Sequence, residues 1–215
     1  MSTITVYASA DTWLAGSAPN NNYNSLGYGY VGDNGGPDKA REIFRFVLPS
    51  DPGGGVVIDA IDVYLYCFGG NGNGLYSINM QYGNNTPATT WVESQAGWNR
   101  YKTGTNWTVA GAGSDLATVV DNQPADLSTT PLATAYSNQY HSWGLYGPNS
   151  DNPQSVTWGD TVDLLFRDVN GVTGANVGYR HREYTGTSQD PYIEITYSEA
   201  PAGYRNPHFR GFVKL

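Results

Sequence analysis

One thiol, Cys67, is all the sulfhydryl chemistry in 215 residues. It closes no intrachain disulfide and supplies no cysteine-based metal spacing, and its place in an apolar alternation marks it as a small core residue. Charge is also scarce: 14% of residues are charged, with 11 Lys and Arg against 19 Asp and Glu and a net charge of -8. Phosphate contacts need clustered Lys and Arg, so this composition excludes general nucleic-acid binding. No apolar run approaches the length needed to cross a bilayer as a helix, and no membrane partner is expected. The N-terminus lacks the charged and apolar regions of a secretory leader, so the chain is expected to enter no secretory route by itself. Almost no window places apolar residues at helical spacing, which removes the helical fold classes.

What remains is abundant turn and strand chemistry. Gly 27, Tyr 17 and many Asn, Ser and Thr describe short strands joined by polar turns. Aromatics at 13% and the low charge exclude a disordered chain. The length suits a single all-β domain over residues 1–200. Residues 201–215 are chemically distinct, because they carry three Lys and Arg and no acid while all nineteen acids lie before them.

The pattern is organised around residues 41–68. In Glu42-Ile43-Phe44-Arg45-Phe46-Val47-Leu48, Phe44, Phe46 and Leu48 alternate with Ile43, Arg45 and Val47. In residues 56–68, Ile61, Val63, Leu65 and Cys67 share one side while Asp62, Tyr64, Tyr66 and Phe68 share the other. Both segments therefore read as strands, and the intervening Pro49 to Gly55 stretch as a turn. Further strands are expected at residues 4–9, 28–31, 75–80, 155–158, 161–167, 176–181 and 192–197. Residues 84–132 read as a long loop region pinned by Trp91, Trp98 and Trp107. Eight to ten turn-punctuated strands point to a two-sheet antiparallel jelly-roll sandwich.

Several segments resemble one family in order and spacing. They are Asp11-Thr12-Trp13-Leu14, Asn22-Tyr23-Asn24-Ser25, Tyr30-Val31-Gly32, residues 41–46 with 58–66, Trp91-Val92-Glu93 with Trp98-Asn99, His181-Arg182-Glu183-Tyr184, and residues 191–197. Together they are similar to the DNRLRE-type domain, a β-jelly-roll module related to carbohydrate-binding module family 96, over about residues 4–198. Residues 98–108 look especially like the stand-alone phage versions. The chain departs from the common pattern at Val47, where an Asp is frequent. The resemblance implies a surface module, and its phage-like portion implies a protein that works alone on a particle.

Four groups of residues carry candidate chemistry. Trp91, Trp98, Tyr101 and Trp107 supply flat rings that would stack on sugar faces, although for any single Trp a core or loop-anchor role has the better prior. Asp11, Asp33, Asp38, Glu93 and Glu183 are oxygen donors for a structural Ca2+, but no dedicated Ca2+-loop spacing accompanies them and no cofactor is expected. Tyr179-Arg180-His181-Arg182-Glu183-Tyr184 is the densest titratable cluster. Alternation divides it, with Tyr179, His181 and Glu183 on one face, so an ion-paired strand near a sheet edge is favoured over a polysaccharide-lyase site. No nucleophile motif or phosphate loop appears, and no catalytic residue is expected.

The last group is residues 201–215. Tyr204, Arg205, Phe209, Arg210, Phe212 and Leu215 make an apolar, positive arm that Pro201, Pro207 and Gly211 keep from being a continuous helix. Such an arm is expected either to fold back on the sandwich or to lie in the groove of a partner, and its charge suits an acidic neighbour, including the body of another copy. The expected function is a non-enzymatic structural or display protein on a virion surface, as head decoration, fibre or tail accessory. Its partners would be other virion proteins or copies of itself. The alternative is a carbohydrate-binding module or adhesin that holds a host-surface or environmental polysaccharide through loop aromatics.

Overall fold

A computed structural model describes residues 1–33, 39–53, 55–71, 76–83, 90–116, 118–125, 138–169, 174, 176–185 and 188–199. Thirteen strands occur among them, with no α-helix and one short 3-10 turn at Ala110–Ala112. In chain order they are β1 (Ser2–Tyr7), β2 (Ala10–Ala15), β3 (Tyr28–Gly32), β4 (Ala40–Val47), β5 (Val56–Asn71), β6 (Tyr76–Gly83), β7 (Arg100–Lys102), β8 (Thr105–Asn106), β9 (Thr118–Ala125), β10 (Gln139–Tyr146), β11 (Thr161–Asp168), β12 (Asn176–Arg180) and β13 (Tyr192–Glu199). Every pairing is antiparallel. The fold is all-β, as the composition requires.

Two strands organise the ladder. β5 holds β13 and then β12 along one edge and β10 along the other. β4 holds β11 along one edge and β2 along the other, and β11 continues through β6 to β9. The β12–β3 ladder joins the two systems. The sheet thus curls, and inward residues of β4, β11 and β6 meet those of β5, β10 and β13 in one core. That core includes Phe44, Phe46, Phe166, Met80, Val63, Leu65, Trp143 and Ile193. Such an arrangement is consistent with a jelly-roll-type sandwich.

The alternation of β5 is realised as read. Ile61, Val63, Leu65 and Cys67 are fully buried, and Tyr64, Tyr66 and Phe68 lie half-buried on the outer side. Burial pushes the Cys67 thiol up to about 11, which suits an inert core residue.

Two expectations fail locally. Residues 155–158 join no ladder, Trp158 lying in a turn, because the β-structure there belongs to the preceding β10 and following β11. The 84–132 region is not one loop: it contains the β7–β8 hairpin and β9, whose Val120 enters the core. β9 lies at the end of the ladder, where Pro124 is tolerated. β10 gave a weak pattern because Gly144 and a register shift between Gly144 and Tyr146 interrupt its alternation.

Trp143 on β10 closes the core. It is almost fully buried, packs edge-on to Phe166 with centroids 4.8 Å apart, and donates from Nε1 to the Ile78 carbonyl at 3.1 Å. Trp143→Ala should therefore cost about 3–5 kcal/mol in urea unfolding. A loss below about 1 kcal/mol would mean that β10 does not seal this interior.

Candidate functional site

Two features stand out: an ionic cluster inside one end of the body and an aromatic outer face. The cluster begins on β4. Glu42 and Phe44 share the inward side of that strand, as Tyr179 and His181 share the inward side at the end of β12. Phe44 meets the His181 ring edge-on at 5.7 Å, so the apolar core grades directly into charge. β2 brings Asp11 opposite Phe44.

Asp11, Glu42 and His181 are all fully buried. His181 Nδ1 lies 3.4 Å from Asp11 Oδ1 and 3.2 Å from the Leu26 carbonyl, and Nε2 lies 3.5 Å from Glu42 Oε2. Burial alone would lower the histidine pKa, but Asp11 and Glu42 overcome it and lift it to about 9. Burial raises Glu42 to about 6 against the opposing pull of His181, and burial raises Asp11 too. Glu183 is raised to about 7, first by burial and then by the neighbouring Asp11.

An outer ring ties this cluster to the tryptophan-rich segment. Arg182 donates to both carboxylate oxygens of Glu93 at 3.0 and 2.7 Å and contacts Glu183 Oε1 at 2.9 Å. Its backbone amide donates to Asp11 Oδ2 at 3.0 Å, and the Asp11 amide donates to Glu93 Oε1 at 2.9 Å. The sequence reading located His181, Arg182 and Glu183 in an ion-paired strand, and the ion pairs are present. The strand and its edge position are corrected: β12 ends at Arg180 and runs between β3 and β5 inside the ladder, and His181, Arg182 and Glu183 lie in the turn that follows it. Glu42 was not singled out by sequence, since it sat in a strand pattern as one polar residue among apolar ones.

The four rings proposed for sugar stacking are brought together, largely as anchors. Residues 90–116 cover the outer side of β2, β4 and β11, where Trp91 and Trp107 bury against Ala10, Leu14, Ile43 and Leu165, with Trp98 and Tyr101 half-buried beside them. Arg41 lies over the Trp98 ring and Arg45 over Trp91, each at 4.9 Å. Trp91 Nε1 donates to Asp163 Oδ1 at 2.9 Å, and Trp107 Nε1 to the Gly97 carbonyl at 2.8 Å. Asp163 in turn accepts from Arg45 at 2.7 and 2.9 Å. Trp91 and Trp107 therefore have no open face, and Trp98 and Tyr101 keep part of theirs. Asp11, Glu93 and Glu183 gather at the cluster, whereas Asp33 donates its charge elsewhere, accepting from the Gly174 amide. Asp38 and the arm residues Tyr204, Arg205, Phe209, Arg210, Phe212 and Leu215 lie outside the described residues.

The opposite outer face, on β5, has no such cover among the described residues. Tyr64 stacks on Tyr192 at 4.7 Å, Tyr140 meets Tyr192 at 5.2 Å and Tyr66 at 5.3 Å, and the largely exposed Tyr7 extends the row. Nearby, Phe68, Tyr28 and Tyr30 form a second group, and the Arg180 guanidinium lies between Phe68 and Tyr184 at 4.4 and 3.6 Å. The period-2 pattern of β5 showed which of its rings face outward. Their continuation across strands depends on register, which the sequence does not display.

Gly29 marks how tightly the ionic cluster is closed. A Cβ there would stand 2.9 Å from Glu42 Oε1, His181 Nε2 and Trp13 Cβ. Gly29→Ala should thus destabilise the fold by about 1–3 kcal/mol through displacement of these groups. Thermal unfolding of the variant checks this, and an unchanged midpoint would show that the cluster is loosely packed. Models of known protein families do not match this chain, and a search of curated proteins returns no match.

Proposed function

We propose that the chain is a non-enzymatic structural or display module of the DNRLRE type, working on a virion surface as head decoration, fibre or tail accessory. The observation that supports the non-enzymatic part is the closure of the ionic cluster. A general acid or base must reach its substrate within hydrogen-bond distance. His181, Asp11 and Glu42 are instead sealed and turned on one another. The virion assignment rests on the resemblance of residues 98–108 to phage versions and on the apolar, positive composition of residues 201–215. Deleting residues 201–215 should abolish co-sedimentation of the chain with its parent particle while leaving its β-sheet spectrum intact. Undiminished incorporation of the truncated chain would remove the anchor.

A second reading, a carbohydrate-binding module or adhesin, is favoured by the uncovered tyrosine face. Aromatic rings with a hydroxyl at the rim combine apolar contact with hydrogen bonding, the combination that a sugar presents in return. If this face holds a polysaccharide, Tyr64→Ala with Tyr192→Ala should abolish retardation in affinity gels that contain the bound glycan. Trp98→Ala with Tyr101→Ala should reduce it if the loop rings contribute. A glycan array without signal, acidic polysaccharides included, would set this reading aside. Absorbance from unsaturated uronate products should be absent in both cases.

A further inference from the structure

The ionic cluster contains more negative groups than its cations neutralise. Asp11, Glu42, Glu93 and Glu183 converge on Arg182 and His181. Arg182 is already engaged by Glu93 and by Glu183 Oε1. A carboxylate oxygen of Asp11 and one of Glu183 lie within 4.8 Å of each other, so an acceptor faces an acceptor. Asp11 Oδ1 and Glu183 Oε2 are buried with no hydrogen-bond donor, and Asp11 is fully enclosed. Two buried acceptors in this relation need a proton or a cation between them.

One ligand atom each from Asp11, His181 and Glu183 lies within 4.8 Å of the other two. The imidazole is oriented for this use. Nδ1 faces Asp11 at 3.4 Å and the Leu26 carbonyl at 3.2 Å, a contact that a cation on Nδ1 would replace, while Nε2 points away toward the buried Glu42 carboxylate. A histidine that gives one nitrogen to a metal and the other N–H to a carboxylate is the usual support of a metal-bound imidazole. Glu183 borders solvent at the rim of the cluster, its side chain 24% exposed, whereas those of Asp11 and His181 are enclosed.

We propose that Asp11 Oδ1, His181 Nδ1 and a Glu183 carboxylate oxygen bind one divalent transition-metal cation, with Glu42 orienting the imidazole from behind. An imidazole with two carboxylates is a donor set for Zn2+, and the nitrogen ligand disfavours Ca2+. Zn2+ holds such donors at about 2.0–2.2 Å. The Glu183 side chain, the most exposed of the three, swings inward to complete the site. The three ligands bind the ion in their deprotonated forms, so uptake is coupled to pH. The role is structural: the ion ties β2 to the segment after β12 and, through Arg182 and Glu93, to residues 90–116.

The test uses the full chain without a purification tag, stripped with EDTA and then exposed to Zn2+ alone. Gel filtration followed by elemental analysis should find one Zn2+ per chain, and the thermal midpoint should rise with Zn2+ and fall again with EDTA, since only the folded chain holds the site. Co2+ in its place should give visible d–d absorption. Glu183→Gln, at the exposed lip and checked for an unchanged circular dichroism spectrum, should weaken Zn2+ binding by at least the roughly 10- to 100-fold seen for lost outer-shell partners. Glu194→Gln, on the distant face of β13, should leave it unchanged. Failure to retain stoichiometric Zn2+, equal retention by Glu183→Gln, or a midpoint that responds to Ca2+ but not to Zn2+ would overturn the proposal.

Discussion

Buried charge must be matched by opposite charge or by hydrogen bonds, and that requirement decides where each part of this molecule sits. β4 illustrates it on both of its sides. Inward, Glu42 would be prohibitive beside Phe44 without His181. Outward, Arg41 and Arg45 would be stranded beneath residues 90–116 unless that segment answered them. It does so with the Gly111 carbonyl and the Trp98 ring for Arg41, and with the Trp91 ring and carbonyl for Arg45, alongside Asp163 from β11. The covering segment is therefore placed by cations. Its tryptophans fill area between those fixed points.

The same logic explains the unequal outer faces. The β4 side carries Ile43, Leu14 and Leu165, which need cover, and residues 90–116 provide it. The β5 side carries Tyr64, Tyr66, Tyr140 and Tyr192, half-buried side chains whose rings shield one another. Tyr140 shows the balance: burial, then the proximity of Tyr192 and Asp190, lifts its phenol to about 12, and its hydroxyl donates to the Ser188 carbonyl at 2.6 Å. A tyrosine face can stay open to solvent at a cost that leucines could not tolerate. One side of the body is thereby closed by its own chain, and the other stays open among the described residues.

Much of the fold was legible because β-strands write their inner and outer sides into alternate positions. β5, β11 and β13 declare themselves in this way, and Cys67 falls on the buried side as its neighbours require. β9 and β10 do not, since Pro124, Gly144 and a register shift remove the signal where it would be read. The ionic cluster was legible only in fragments. His181, Arg182 and Glu183 are adjacent, but the Arg182 amide reaches Asp11 across 171 positions, and Glu42 enters from a third strand. Such a site is created by strand order. No local spacing encodes it.

Placing charge at the seam between β2, β4 and β12 has a consequence for cooperativity. Arg182 and Glu93 connect the end of β12 to the segment that covers β4, while Asp11 bonds to both, its carboxylate accepting from the Arg182 amide and its own amide donating to Glu93. Loosening that segment would free the outer face of β4 and also deprive Arg182 and Asp11 of partners inside the cluster. The penalty for each event includes the other, so the cover and the cluster should open together and not in sequence. A body built in this way keeps its covered side rigid without disulfides, which a chain with one cysteine requires.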